Sequence, residues 1–109
     1  MVKTGRKLDT GKPIVGLMPP RAILEIARVM TFGATKYDAY NWCKGLKYVR
    51  LYSAAQRHLL SWLAGNDNDD ETGISHLAHA CCNLMMILEF EVNGRTDLDD
   101  RYRGEPKDE

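Results

Sequence analysis

The segment from Ile74 to Val92, "ISHLAHACCNLMMILEFEV", constrains the fold of this chain more than any other. It reads as one helix. At about 100° per residue, Leu77, Ala78, Cys81, Leu84, Met85 and Leu88 occupy most of the circumference, while His76, His79 and Asn83 gather within roughly 60° of one another. A helix without a solvated face has to be surrounded, and a chain of 109 residues is one small domain with a limited core of its own. The cover is therefore predicted to come from a second copy, in a homodimer or a homotetramer with this helix in the shared core. The polar stripe has two readings. Unpaired imidazole and amide groups are expensive in an apolar core, so the stripe is either a set of satisfied core hydrogen bonds or the wall of an internal cleft.

Punctuation and periodicity set the remaining elements. Pro13, Pro19 and Pro20 with Gly11 and Gly16 make residues 1–19 an extended arm, and Pro20 suits the first position of a helix. A first helix is predicted from Pro20 to about Thr31, with Ile23, Leu24, Ala27 and Met30 on one face and Gly33 ending it. Residues 34–48 read as a helical turn and a loop. A second helix is predicted from about Val49 to Ala64, with Leu51, Ala55, His58 and Trp62 on one stripe and Gly65 as its stop. The acidic turn "GNDNDDETG" follows, with Asp70 or Thr72 as the cap of the third helix, which ends at Asn93-Gly94. Residues 94–109 form a charged tail, predicted to be partly disordered, with Leu98 and Tyr102 available to pin it. No strand-like alternation occurs, so the fold class is all-α, with the helical domain spanning residues 20–93.

Charge narrows the partners. Fifteen basic and fifteen acidic residues balance to zero, which leaves no field for a nucleic acid polymer or an anionic membrane. No apolar run reaches the ~18 residues of a membrane span, and no apolar stretch follows the basic N-terminus, so a soluble, intracellular protein is expected. The three cysteines include the adjacent pair Cys81 and Cys82 and show neither CxxC nor CxH spacing; they read as reduced core thiols.

The polar groups fall into three chemical sets. Asp67, Asp69, Asp70 and Glu71 stand at the N-terminal mouth of the third helix, near its histidines, and His58 joins them from the second. Carboxylates beside imidazoles suit Mn²⁺, and suit Mg²⁺ when the imidazoles stay outside its coordination sphere. Lys7 and Lys12 flank the glycine of "KLDTGKP", which lacks the Walker spacing. "KYDAYNW" offers Lys36, Tyr37, Tyr40, Asn41 and Trp42: a point charge for phosphate, rings to stack on a base, and an amide to read its edge. Taken singly, these are a solvated acidic face, a loop and an aromatic mini-core. Together they spell metal, phosphate and base.

The ordered series "KLDTGKP", "LMPPRAILEIARVMTFGATKYDAYNW" and "RHLLSWLAGNDNDDETGISHLAHACCNLM" resembles the phage-type dATP/dGTP diphosphohydrolases, a branch of the MazG-like all-α nucleotide pyrophosphohydrolases. The likeness covers about residues 6–92, and K-Y-x(3)-N-W, R-H, D-x-E-T-G and H-L-A-H-A in that order are specific. The resemblance implies an oligomeric helical bundle that hydrolyses a purine nucleoside triphosphate (dGTP, GTP or dATP) to the monophosphate and pyrophosphate, using a divalent metal, Mn²⁺ or Mg²⁺, with Co²⁺ as a substitute. It also implies a cytoplasmic setting, that of an infected bacterium for a phage-encoded chain.

Lys36, Tyr37, Asn41, Trp42, Arg57, His58, Asp69, Glu71, Gly73, His76, His79 and Asn83 sit on positions that match the branch pattern. In the mechanism expected from these residues, His58, His76, His79 and Glu71 would be catalytic, and Asp69, Glu71 and His79 would hold the metal. Lys12, Lys36 and Arg57 would neutralise the leaving pyrophosphate, with Tyr37 or Trp42 stacking on the base. Asn41 and Asn83 would complete the substrate site, Asn83 also fixing an imidazole tautomer. Two features depart from the pattern. Asn66 stands where the branch usually has glutamate, and the E-x-x-E and E-x-x-D helix pairs of the wider superfamily are missing from the second and third helices. A non-catalytic helical adaptor is the alternative from another class. A zinc phosphomonoesterase of the histidine–aspartate type is disfavoured, because no adjacent His-Asp pair occurs. The residues leave adenine against guanine, and ribose against deoxyribose, open.

Overall fold

A computed structural model describes residues 3–104. Its three helices among the described residues are α1 (Pro20–Lys36), α2 (Tyr48–Leu63) and α3 (His76–Val92), with short 3-10 turns before α1 at Val15–Leu17, between α1 and α2 at Asn41–Lys44, and after α3 at Thr96–Leu98. No strand occurs among the described residues, only an isolated bridge between Asn68 and Ser75, so the all-α expectation holds.

Helix ends differ from expectation for local reasons. Helix α1 runs on through Gly33, because an interior glycine costs only about 1 kcal/mol and the Gly33 carbonyl still accepts from the Tyr37 N–H at 2.9 Å. The chain breaks instead just beyond, where Asp38 (φ 144°) and Tyr40 (φ 62°) take positive angles that side chains rarely adopt. Helix α3 is capped by Ser75, whose hydroxyl accepts from the Leu77 N–H at 3.1 Å, and not by Asp70 or Thr72.

Helices α2 and α3 hold the core. Tyr48, Leu51, Phe90 and Leu98 are buried together, with Trp42, Leu46, Met86 and Ile87 packed against them. Nearer the acidic turn, the buried residues Ala55, Ala78, Ala80 and Cys82 are small and allow a close approach. Burial raises the Cys82 thiol to about 11, and its Sγ lies 3.2 Å from Met30 Sδ. Cys43 and Cys81, expected as core thiols, are exposed. The tail is more ordered than predicted as far as Asp100. Leu98 is buried beside Gly45 (φ 97°), where a Cβ would stand 2.9 Å from the Arg95 guanidinium. The Asp100 carboxylate accepts from the Val49 N–H at 2.9 Å and so caps α2. Tyr102 is exposed and pins nothing, and residues 105–109 of the predicted tail lie outside the described residues.

The outer faces are bare. Helix α1 buries no residue fully; Ile23, Leu24 and Ala27 of its predicted face are exposed, while Met30, the fourth, turns inward together with Ile26 and Val29. Trp62, predicted to lie on the inner stripe of α2, is also exposed. On α3, Leu77, Leu84, Met85, Leu88 and Val92 are 40–74% exposed, so the chain by itself covers only part of its greasiest helix. With the arm extended, the radius of gyration is 18.4 Å, against ~13 Å for a compact domain of this size.

Candidate active site

The site is built on the turn between α2 and α3. His76 N–H donates to the Asp67 carbonyl at 2.9 Å, Asp69 N–H to the Ile74 carbonyl at 2.9 Å, and Gly73 N–H (φ 72°) to the Asp69 carbonyl at 2.8 Å. These bonds fold residues 67–76 back on themselves. The Asp69 carboxylate is the hub: its Oδ2 accepts from Glu71 N–H at 3.1 Å, Thr72 N–H at 2.9 Å and Thr72 Oγ1–H at 3.1 Å. Burial pushes this carboxyl up, but the two bonds from Thr72 and the neighbouring imidazoles outweigh it and hold it below the usual aspartate value.

Thr72 organises the histidine next to it. Its Oγ1 also accepts from Ile74 N–H at 3.1 Å and lies 2.7 Å from His79 Nε2. A hydroxyl has one proton and two lone pairs. With the proton given to Asp69 and one lone pair to Ile74, the remaining lone pair fits a proton on His79 Nε2. The tautomer role expected of Asn83 therefore falls to Thr72; the Asn83 amide donates to the His79 carbonyl at 2.9 Å along its own helix.

His58 meets both helix-three histidines. Its ring stacks on His79 at 4.5 Å between centroids, and its Nδ1 lies 2.9 Å from His76 Nδ1. Burial lowers His58, aided by His79 and opposed by Asp69; burial also lowers His79, with Asp69 opposing. Both are thus neutral near pH 7, the form that binds a metal. The ligand atoms of His58, Asp69 and His76 all lie within 4.8 Å of one another. Of the three expected metal ligands, only Asp69 belongs to this group. Glu71 instead pairs with Lys36 at 2.8 Å, which raises the lysine, and His79 Nε2 lies 3.8 Å from the Asp69 carboxylate. Two imidazoles and a carboxylate are a donor set that fits a divalent cation.

A cleft of about 720 Å³ opens between α1, the 37–42 loop and this turn. Lys36, Tyr37, Asn41, Trp42, Arg57, His58, Asp69, Glu71, His79 and Asn83 all line it, as expected for a shared site. His76 does not; it faces an adjoining hollow with Asn66, Asp67, Asp69 and Asp70. Lys12 lies on the exposed arm and lines neither space. The aromatic rings divide their work. Trp42 is half-buried against Phe90, with centroids 6.1 Å apart, whereas Tyr37 is exposed with Lys36 Nζ 5.3 Å from its ring. Two residues were not anticipated at the site: Thr72, and Asp38 on the cleft wall; Tyr40, offered by the aromatic loop, lines the same wall, and both Asp38 and Tyr40 have strained backbone. For Thr72 the spacing D-x-x-T, which favours side-chain bonds to the backbone of a turn, was the available signal.

The family described as dATP/dGTP diphosphohydrolase, N-terminal, matches residues 2–101. The chain is also similar to a protein from Salmonella phage PMBT28 named dATP/dGTP diphosphohydrolase, with 47% identity over 98 residues. That match covers 90% of this chain and 33% of the relative, so the chain spans about a third of the length of the curated relative it matches. No solved structure matches it.

Proposed function

The chain belongs to the dATP/dGTP diphosphohydrolase family, and from that membership and its cleft we propose that it hydrolyses a purine deoxynucleoside triphosphate to the monophosphate and pyrophosphate with a divalent metal. The observation that carries this reading is the meeting, in one cleft, of Lys36 and Arg57, the carboxylates of Asp69 and Glu71, the imidazoles of His58 and His79, and an exposed ring at Tyr37. A divalent cation at the imidazole–carboxylate corner, held by His58, Asp69 and His76, would supply Lewis acidity and offset phosphate charge.

The chain's own groups divide the remaining tasks. Tyr37 stacks on the base. Arg57 and Lys36 take the phosphates that leave as pyrophosphate, and as Lys36 turns to them it releases Glu71 to accept a proton from the attacking water. Water adds at the α-phosphorus. His79, aimed by Thr72 and Asp69, stands at the same wall to orient that water.

The bare apolar side of α3 supports a homodimer or homotetramer in which a second copy covers Leu77, Leu84 and Leu88. Incubation with dATP or dGTP and Mn²⁺ tests the function directly: monophosphate and pyrophosphate are the expected products. Orthophosphate would overturn it, and no turnover from a well-folded oligomer would favour an adaptor, which the same apolar side of α3 also suits.

A further inference from the structure

We propose that His58, Asp69 and His76 bind one divalent d-block cation, of the class of Mn²⁺, Co²⁺ and Zn²⁺, through two imidazole nitrogens and one carboxylate oxygen, and that His79 and Glu71 are not ligands. The three residues come from separate elements: His58 from within α2, Asp69 from the turn, and His76 from the first position of α3. Their convergence to within 4.8 Å is therefore a product of the tertiary fold.

The separation of the two imidazoles suits one shared ion. Two nitrogens bound side by side to a metal, each at ~2.0–2.1 Å, stand about 3 Å apart when the angle between them is near 90°; the His58 and His76 Nδ1 atoms are 2.9 Å apart. A hydrogen bond between the rings has the same length, and the experiment below separates the two. Asp69 argues for the metal. All three donors to its carboxylate among the described residues converge on Oδ2, which leaves Oδ1 to a ligand. The chain from His79 through Thr72 to that carboxylate is the kind of outer bonding that orients a metal-binding group. It also occupies His79 Nε2, while Lys36 occupies Glu71. Asp67 and Asp70 line the hollow beside His76 and add negative charge there.

Chemistry then selects the ion. Mg²⁺ binds through oxygen and keeps its waters, whereas two imidazoles out of three donors favour the later divalent metals. The cation meets the edge of the catalytic cleft through His58 and Asp69, which both line the cleft, and Asp69 also lines the hollow beside His76. The assignment extends the hydrolytic reading but concerns metal binding alone, and it stands or fails without a turnover measurement.

The test is a titration of the full chain, stripped with chelator, by Co²⁺ and Mn²⁺, followed by calorimetry and visible absorption. One ion per chain is expected. His58→Ala, His76→Ala and Asp69→Asn should each weaken binding by more than about 100-fold, beyond the loss expected from outer-sphere partners, while Glu71→Gln changes it less than about threefold. His79→Gln should fall between, and Mg²⁺ should bind at least about tenfold more weakly than Mn²⁺. Pulsed electron paramagnetic resonance of the wild-type Mn²⁺ complex, which needs no variant to fold, should show coupling to imidazole nitrogen. Full binding by a helical His58→Ala or His76→Ala chain, loss of binding in Glu71→Gln, or a Mn²⁺ complex without nitrogen coupling would each overturn the assignment.

Discussion

The acidic turn at residues 66–75 and the arm at residues 3–19 look alike as sequence, both charged, both containing glycine and both outside the long helices, yet they behave in opposite ways. In the turn, side chains and backbone are cross-linked through Asp69 and Thr72, and Ser75 starts the next helix. In the arm, every described residue is exposed, and the backbone bonds recorded within it reach no further than three residues, such as Lys12 N–H to the Asp9 carbonyl at 3.0 Å. Leu8, Ile14, Val15, Leu17 and Met18 stand 54–92% exposed along it. The difference is one of self-sufficiency. A turn closed by short-range bonds needs one chain, whereas apolar groups strung on an extended arm gain from burial only against another surface.

The largest effect should come from the hub of the turn. Asp69→Ala removes the acceptor of three donors and one proposed metal ligand together. It should lower turnover by more than about 100-fold and cost about 1–3 kcal/mol of stability through the donors left unpaired. Chemical denaturation and steady-state kinetics on the same preparation check both. Removal of residues 3–12 should leave the melting temperature nearly unchanged; an equal loss from both changes would erase the contrast between the regions.

Thr72→Val comes next, because it keeps the shape and deletes only the hydroxyl. It strands His79 Nε2–H and Ile74 N–H and withdraws one donor from Asp69. The expected loss is roughly 10–100-fold in kcat with little change in KM. A Thr72→Ser chain should recover most of the rate. If valine and serine are equally active, His79 is not oriented through this hydroxyl.

Acid should loosen the turn's surroundings in metal-free protein. His58 and His79 are held below the ordinary imidazole value by burial, so the unfolded chain takes up protons first as pH falls through about 6.5. More protons bound to the unfolded state means stability falls with falling pH. The loss begins below about 6.5 and levels off once the folded imidazoles are themselves protonated. Denaturant midpoints measured in chelator from about pH 8 to pH 5 should decline across that window. A flat profile would mean that the two rings are as solvated as the arm.

The helices were legible in the sequence because their periodicity is local, and their ends were less so. Gly33 reads as a stop but lies inside α1, since the stop depends on backbone angles at Asp38 and Tyr40. The polar stripe was visible on the wheel, but its partners were not. His76 and His79 share a face and both meet His58, one through Nδ1 and the other by ring stacking, yet His79 also meets Thr72, because a wheel records angle and not position along the axis. The cleft residues of "KYDAYNW" were found by chemistry alone; that Trp42 packs on Phe90 while Tyr37 stays free depends on the tertiary fold.

The smallest effect belongs to the arm, and it tests whether the arm has work elsewhere. Lys12 is exposed and lines neither space of its own chain's site. Lys12→Ala should therefore leave the melting temperature and kcat unchanged. If the arm reaches the cleft of a second copy and adds one charge to the phosphates, KM should rise by a few-fold, as expected for a solvated ion pair of about 0.2–1 kcal/mol. Added salt should shrink the difference between the variant and the parent chain, because a solvated charge contact is screened within about 10 Å at 0.1 M. If the arm acts on a second copy, the fall in affinity should also vanish in a preparation diluted to monomers. An unchanged KM at low salt would leave the arm outside the site, and a lowered melting temperature would show that it is held by contacts within the chain after all.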